Sequence, residues 1–190
     1  SIRKALSMGP DKAVHVQDDA LHGSCAVTTS KVLAAALRTL NADLIISGAE
    51  STDGRVQVVP HMLAELLGVA ALTGARKLTV DGSQLTVERQ TDEGYEVVTA
   101  ATPAVVSVWD TINEPRYPSF KGIMAAKKKP VQALTLGDLG ISGDEVGFAG
   151  ATSQVLEFSK RPARSGGTKI TDEGDGGARL VGFLATEKFV

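Results

Sequence analysis

Residues 43–60 read DLIISGAESTDGRVQVVP, and this stretch decides the fold class. Its apolar part, residues 44–47, is short and continuous, which is typical of a strand buried on both faces of a parallel sheet. A polar segment with two glycines follows, and the pattern over residues 57–67 then predicts a helix that ends at Gly68. A strand, a loop and a helix in this order favour a parallel α/β sheet.

The segments before this unit show the same alternation. Residues 2–8 are typical of the end of a helix that Gly9 closes, and residues 13–16 of a short strand. Ser24 is a suitable N-terminal cap for a helix that runs to about Leu40. We therefore expect an α/β fold with a Rossmann-like parallel sheet.

Antiparallel strands are expected after residue 70. The turn signal Asp81-Gly82 separates two runs of β-type residues, which predicts a hairpin. Two further runs follow at residues 95–100 and 104–109. These strands are predicted to be appended to the α/β unit.

Regular structure thins from Pro130 onward, where glycines interrupt the chain and only residues 176–184 are typical of a helix. A segment of this kind does not pack on itself alone, so we expect an extended C-terminal arm that lies on another protein. The predicted domains are thus an α/β domain at residues 1–129 and an arm at residues 130–190. Because Ser1 opens directly into a helical pattern, we also expect that an N-terminal part is missing.

The composition excludes several classes of protein. Of the 190 residues 43% are hydrophobic, which supports a sizeable core. The 20 Lys and Arg and 22 Asp and Glu give a formal charge of -2, so we expect no nucleic-acid partner. No apolar run approaches the ~18–20 residues that span a bilayer, so we expect no membrane insertion. The single cysteine, Cys25, excludes an internal disulfide and favours a reducing, cytoplasm-like compartment.

The loop after the strand at residues 44–47 is the first candidate site. Gly48 and Gly54 allow close backbone approach, and ligands of open α/β sheets lie at the carboxyl ends of the strands. The loop offers three side chains that can bind phosphate oxygens: Ser51, Thr52 and Arg55. The alternative is an ordinary polar loop in which Asp53 caps the next helix, since no Walker or GxGxxG pattern is present.

Residues 113–124 form the second candidate site. Two prolines fix the backbone of this segment, which otherwise reads as a surface loop with four apolar side chains: Tyr117, Phe120, Ile123 and Met124. Exposed, these side chains suit a docking surface. The alternative is a loop that packs them into its own core. The lysines at 127–129 are either a solvated helix end or a means of steering an acidic partner.

No catalytic or metal site is expected. His15, His22 and His61 lack the spacing of metal ligands, which indicates ordinary histidines. Cys25 stands near a predicted helix start, where the pKa of a thiol can be lowered, but no base lies nearby in sequence, so we expect a small buried thiol.

Two blocks of the chain resemble the β subunits of electron transfer flavoproteins. The first block comprises residues 87–89, 92–98 and 103–107, and the second comprises residues 113–119 and 123–129. Residues 3–9 and 43–48 fit the same family in the same order. The resemblance covers nearly the whole chain and is most specific over residues 84–129.

This resemblance implies one half of a heterodimeric electron carrier. In the family, the α subunit holds most of the FAD, which accepts electrons from acyl-CoA dehydrogenases of fatty acid β-oxidation and from other dehydrogenases. A membrane quinone oxidoreductase then receives the electrons. The β subunit supplies a shielding domain of the adenine-nucleotide-binding type, an arm around α and, in many members, a buried AMP. The implied mechanism is electron tunnelling in the cytoplasm, or in the mitochondrial matrix of a eukaryote, with no catalytic residue in β.

The resemblance also assigns the two candidate sites. Family contacts to AMP fall on the first loop, at Ala49, Glu50, Ser51, Thr52, Asp53, Gly54, Arg55, Val56, Gln57, Val58, Val59 and Pro60. The dehydrogenase-recognition loop falls on Tyr117, Pro118, Ser119, Phe120, Lys121, Gly122, Ile123, Met124, Ala125 and Ala126. Phe120 stands where an apolar anchor for a dehydrogenase pocket is expected.

The chain departs from the family pattern after Gly48, where Ala49, Glu50 and Ser51 replace a basic or polar pair and a glutamine. Glu50 is therefore expected to point away from a phosphate or to bind ribose hydroxyls. Two other interpretations remain open. A bifurcating relative binds a second FAD where AMP lies, whereas a stand-alone adenine-nucleotide-binding module needs a glycine–serine phosphate loop and has no use for an arm.

Overall fold

The chain forms two compact units in a computed structural model that describes residues 1–164, 166–167 and 169–189. The first unit is Ser1–Gln154 and the second is Val155–Val190. Among its described residues, the second unit contains one regular element, the helix α6 (Gly176–Thr186), which the sequence predicted over residues 176–184. The role of residues 130–190 as an arm stays a prediction.

The first unit contains the other helices and all seven described strands. The helices are α1 (Ile2–Ser7), α2 (Ala26–Arg38), α3 (Val59–Leu67), α4 (Phe120–Ala126) and the single turn α5 (Gly147–Gly150). The strands are β1 (Ala13–Val16), β2 (Leu44–Gly48), β3 (Ala70–Asp81), β4 (Gln84–Thr91), β5 (Gly94–Ala101), β6 (Ala104–Val108) and β7 (Val131–Leu134).

A five-stranded sheet in the order β2-β6-β3-β4-β5 forms the centre of this unit. Strands β2, β6 and β3 run parallel, whereas β3, β4 and β5 form an antiparallel meander. Strand β3 belongs to both parts because it pairs with β6 over residues 70–75 and with β4 over residues 75–81. Its pairing with β6 shifts register near Gly74, whose φ of 72° is in the left-handed region. The predicted mixed α/β fold with appended antiparallel strands is confirmed.

The core lies on both faces of β6. Because successive residues of a strand face opposite sides, Val105 and Val106 pack into different clusters. Val105 packs against α2 and α3 through Ala34 and Leu63, whereas the cluster of Val106 is formed mainly by the hairpin strands. Four of the five residues of β6 are buried, and this strand positions the loop that follows it.

Three sequence predictions about local structure are wrong. Ser24 does not cap α2, because its Oγ accepts a hydrogen bond from Gly147 N–H at 2.9 Å and Cys25 occupies the cap position. Strand β2 is not covered on all sides: among the described residues it pairs only with β6, and Ile46 is 56% exposed. Strand β7, which pairs in parallel with β1, was missed in the segment after Pro130.

No helix within the described part of the chain is long and apolar enough to cross a membrane.

Candidate functional site

A pocket of about 400 Å³ opens at the carboxyl ends of β2 and β6. These strands pair in register from Leu44 and Ala104 to Gly48 and Val108, so both end at the same level. Ala49 N–H donates to Val108 O at 2.9 Å, after which the two loops separate. The pocket is lined by Gly48, Ala49, Glu50, Ser51, Thr52, Arg55, Val108, Trp109 and Asp110. This is the sheet edge at which α/β proteins bind ligands.

The structure brings only part of the predicted first site to the pocket wall. Of the twelve positions at residues 49–60, five line the pocket: Ala49, Glu50, Ser51, Thr52 and Arg55. Residues 56–58 continue the loop, Val59 begins α3 and Pro60 is buried. Whether these residues contact a nucleotide stays a prediction.

The loop is ordered by its own hydrogen bonds. Gly54 N–H donates to Asp53 Oδ1 at 2.7 Å and to Ser51 Oγ at 3.3 Å. The Ser51 hydroxyl and Gly54 N–H beside it hold the pKa of the Asp53 carboxyl below its usual range. Asp53 thus closes a turn inside the loop, and the alternative that it caps the next helix is wrong because Val58 occupies the N-cap position of α3.

Charges of both signs line the pocket. Glu50 Oε2 accepts a hydrogen bond from Gln57 Nε2 at 2.7 Å, so the partner that orients this carboxylate is an uncharged amide. Asp110 is a second exposed carboxylate on the opposite loop. Arg55 is the one cation among the lining residues, and it forms no ion pair within the described residues. The arrangement can bind an anionic group at Arg55 and hydroxyl groups at the carboxylates.

Sequence reasoning missed Trp109 and Asp110. The signal that could have found them is the position of residues 104–109 as a parallel strand beside residues 44–47, since neighbouring parallel strands end at one edge. Ser47 directly precedes the lining residue Gly48, and its buried Oγ has no hydrogen-bond partner among the described residues.

The second predicted site is a short exposed helix with its preceding turn. We call residues 117–126 the docking segment; Ser119 caps its helix α4 by accepting a hydrogen bond from Gly122 N–H at 3.1 Å. Tyr117 is 93% exposed and Phe120 80%, while Ile123 and Met124 are about half exposed. The alternative that these side chains pack into a core of their own is wrong. Docking itself stays a prediction.

The histidines and the cysteine do not form a metal site. No group of three or more His, Cys, Asp or Glu residues that could hold a metal occurs among the residues the structure describes. His61 Nε2 lies 3.0 Å from Thr73 Oγ1, and the His22 ring packs edge-on against Phe148 with centroids 5.3 Å apart.

Cys25 is not the buried thiol that the sequence suggested. It is partly exposed at the start of α2, and Thr152 Oγ1 and N–H each lie 3.4 Å from its Sγ. The hydrogen bond with the Thr152 hydroxyl, supported by the Thr28 backbone, lowers the pKa of the Cys25 thiol to about 5 from its ordinary 9.0.

This lowered pKa predicts the pH at which Cys25 reacts. Because the thiolate is the nucleophile, alkylation by iodoacetamide should speed up as the pH rises through about 5 and then level off. Replacing Thr152 with Val should move the midpoint upward, since it removes the largest stabilising hydrogen bond. Mass spectrometry of the folded chain gives the rate at its single cysteine. A rate in the unsubstituted chain that still rises steeply above pH 8 would contradict the prediction.

Comparison with known proteins relates the chain to one family. Residues 1–139 match the family described as "Electron transfer flavoprotein domain". A protein named "Electron transfer flavoprotein subunit beta" from Mycobacterium leprae (strain TN) is 54% identical over 191 residues, which cover 100% of this chain and 72% of the relative. The protein of the same name from Mycobacterium tuberculosis (strain ATCC 25618 / H37Rv) is 52% identical over the same shares. The one from Thermoanaerobacterium thermosaccharolyticum is 36% identical over 160 residues, or 84% of this chain and 62% of the relative.

Proposed function

The chain belongs to the electron transfer flavoprotein family as a β subunit, and we propose that it pairs with an α subunit to form a heterodimeric electron carrier. The carrier takes electrons from acyl-CoA and other dehydrogenases and delivers them to a membrane quinone oxidoreductase. FAD, held mainly by the α subunit, supplies the redox chemistry. The β subunit makes and breaks no covalent bond and needs no catalytic residue. We place the heterodimer in the cytoplasm, or in the mitochondrial matrix of a eukaryotic cell.

The exposure of the docking segment carries this proposal. Tyr117 and Phe120 are 93% and 80% exposed on a capped helix, although water disfavours such apolar surface. A carrier that meets several donors transiently needs a small apolar anchor that each donor can bind. Lys121, Lys127 and Lys128 are also exposed around the segment, which favours an acidic rim on the partner.

The pocket at the ends of β2 and β6 supports a bound AMP that has a structural role. Its volume of about 400 Å³ lies within the ~300–1,000 Å³ typical of small-molecule sites. Arg55 and the hydroxyls of Ser51 and Thr52 would hold the phosphate, and the Glu50 and Asp110 carboxylates the ribose hydroxyls. Trp109 would offer an apolar surface to the adenine. A ligand that binds only the folded state stabilises that state, which is the role we assign to AMP.

Mass analysis of released small molecules tests the proposal most directly. The chain would be purified with the partner that co-purifies with it, then denatured, and every released molecule identified and quantified. One FAD and one AMP per heterodimer is the expected result, because FAD belongs chiefly to α and the β pocket suits one nucleotide.

The other results separate the alternative functions. Two FAD and no AMP would indicate a bifurcating carrier with a second flavin in the same pocket. A chain that purifies alone with a nucleotide and no flavin would indicate a stand-alone nucleotide-binding module. A heterodimer that releases FAD but no nucleotide from the β subunit would contradict the AMP assignment and leave the carrier function standing.

A further inference from the structure

Helices α1 and α4 pack so closely that one glycine decides their distance. A Cβ atom built on Gly122, in the first turn of α4, would lie 2.5 Å from the backbone oxygen of Ser7. No side chain larger than hydrogen fits there without moving one of the helices. The docking segment is therefore seated directly on the end of α1.

Lys129 fixes this contact from the α4 side. Its Nζ donates to Leu6 O at 3.2 Å and to Gly9 O at 2.8 Å, at the carboxyl end of α1. The last carbonyls of a helix lack partners within it and carry partial negative charge, so a cation there is favourable. Lys129 thus stabilises the end of the neighbouring helix, not that of its own.

Arg3 makes the reciprocal contact from the α1 side. Its Nη1 donates to Ala126 O at 2.8 Å and to Lys129 O at 2.5 Å, at the carboxyl end of α4. Arg116, directly before the docking segment, also donates to Met8 O. The carboxyl end of each helix is therefore bound by a cation that lies on or beside the other helix. All three cations contact residues that are more than 100 positions away in the sequence.

We propose that Arg3 and Lys129 form a clamp that positions the docking segment for partner encounter. Helix α4 has seven residues, far fewer than the ~12–15 that a helix needs to persist alone in water. Its largest side chain, Phe120, is 80% exposed, and Ile123 and Met124 are only about half buried, so burial alone stabilises the helix weakly. The clamp supplies the missing stability, and the inference rests on the docking function proposed above.

The clamp acts on binding and not on electron transfer within the bound complex. If only a fraction of carriers hold the docking segment correctly, the apparent dissociation constant rises by the inverse of that fraction. A carrier that has bound is already in the competent state. Loss of the clamp should therefore raise the dehydrogenase KM for the carrier and leave kcat unchanged.

The test compares Lys129→Met with Lys127→Met in the complete heterodimer. Both changes remove one positive charge from the same lysine run, but Lys127 is exposed and makes no side-chain hydrogen bond among the described residues. For Lys129→Met we expect a KM about tenfold higher, equal to about 1.4 kcal/mol, at low and at high salt. For Lys127→Met we expect a smaller increase that disappears at about 1 M salt, where steering is screened.

Two further measurements keep the result interpretable. Hydrogen exchange of the α4 amides should be about tenfold faster in Lys129→Met, with protection of β3–β6 unchanged, since only local opening is affected. Lys129→Arg, which can still donate to both carbonyls, should restore most of the wild-type KM. Arg3→Met removes the opposite half of the clamp and should reproduce the KM increase if Lys129→Met proves too unstable to assay.

A high-salt KM of Lys129→Met equal to that of Lys127→Met would overturn the clamp, as would faster α4 exchange without any change in KM. The same experiments include Phe120→Asp to separate this failure from that of the docking function. If Phe120→Asp is reduced at the normal rate, the docking function is contradicted. If Phe120→Asp is reduced slowly and Lys129→Met keeps the wild-type KM, only the clamp is contradicted.

Discussion

Replacing Phe120 with Asp should lower the rate at which a dehydrogenase reduces the heterodimer by about a hundredfold or more, or about 2.8 kcal/mol. Phe120 is 80% exposed, so its side chain contributes little to the folded chain on its own. In a complex, the same side chain would fill an apolar pocket, and a carboxylate in that pocket would lose its hydration without gaining a partner. The measurement is stopped-flow reduction of the FAD at a fixed concentration of reduced dehydrogenase.

Tyr95→Asp is the matched control for this experiment. Tyr95 is an aromatic residue on β5 that is 73% exposed, and it lies outside the docking segment. It should leave the reduction rate near that of the unsubstituted carrier, and both variants should retain their FAD. Equal losses of rate in the two variants would indicate a general effect of surface charge and remove the docking role from Phe120.

The sequence was most informative where structure depends on near neighbours. The strand at residues 44–47, the polar loop and the following helix are formed by local patterns, and the structure confirms β2 and α3 with small shifts at their ends. The hairpin at Asp81 and Gly82 is similarly local, since Gly82 adopts the positive φ of 56° that the turn requires.

What the sequence could not predict depends on pairing between distant segments. Strand β7 has only four residues and pairs with β1, with Val131 opposite Ala13, so no local pattern identifies it. Ile46 is exposed because β2 has one described neighbour, and an apolar run alone does not distinguish an edge strand from a central one. The start of α2 moved to Cys25 because the Ser24 hydroxyl bonds to Gly147, far along the chain.

The candidate sites follow the same division. The docking segment could be singled out because it lies on one continuous stretch. The sequence left its exposure open and indicated a surface loop where the structure has the helix α4. The pocket was predicted only by half, since its other wall, Trp109 and Asp110, is brought beside the first loop by the pairing of β2 with β6. A pocket between two loops can be predicted only when the order of the strands is known, and no local pattern in the sequence indicates that order.

Arg55→Glu should abolish retention of AMP by the purified heterodimer, with an affinity loss of about a hundredfold or more, or about 2.8 kcal/mol. Arg55 is the one cation among the lining residues, and the pocket already holds the carboxylates of Glu50 and Asp110. The substitution would remove a charge-assisted hydrogen bond to the phosphate and place a third carboxylate near an anion that carries about two negative charges at neutral pH.

Lys31→Glu is the matched control, because it makes the same change of charge at an exposed position on α2 outside this pocket. AMP released per heterodimer should be near zero for Arg55→Glu and unchanged for Lys31→Glu, with FAD content equal in both. Added AMP should raise the unfolding temperature of the control and not that of Arg55→Glu, since a ligand stabilises only a protein that binds it. Wild-type AMP content in Arg55→Glu would place the nucleotide elsewhere, because the substituted pocket would offer the phosphate three carboxylates and no cation among its lining residues.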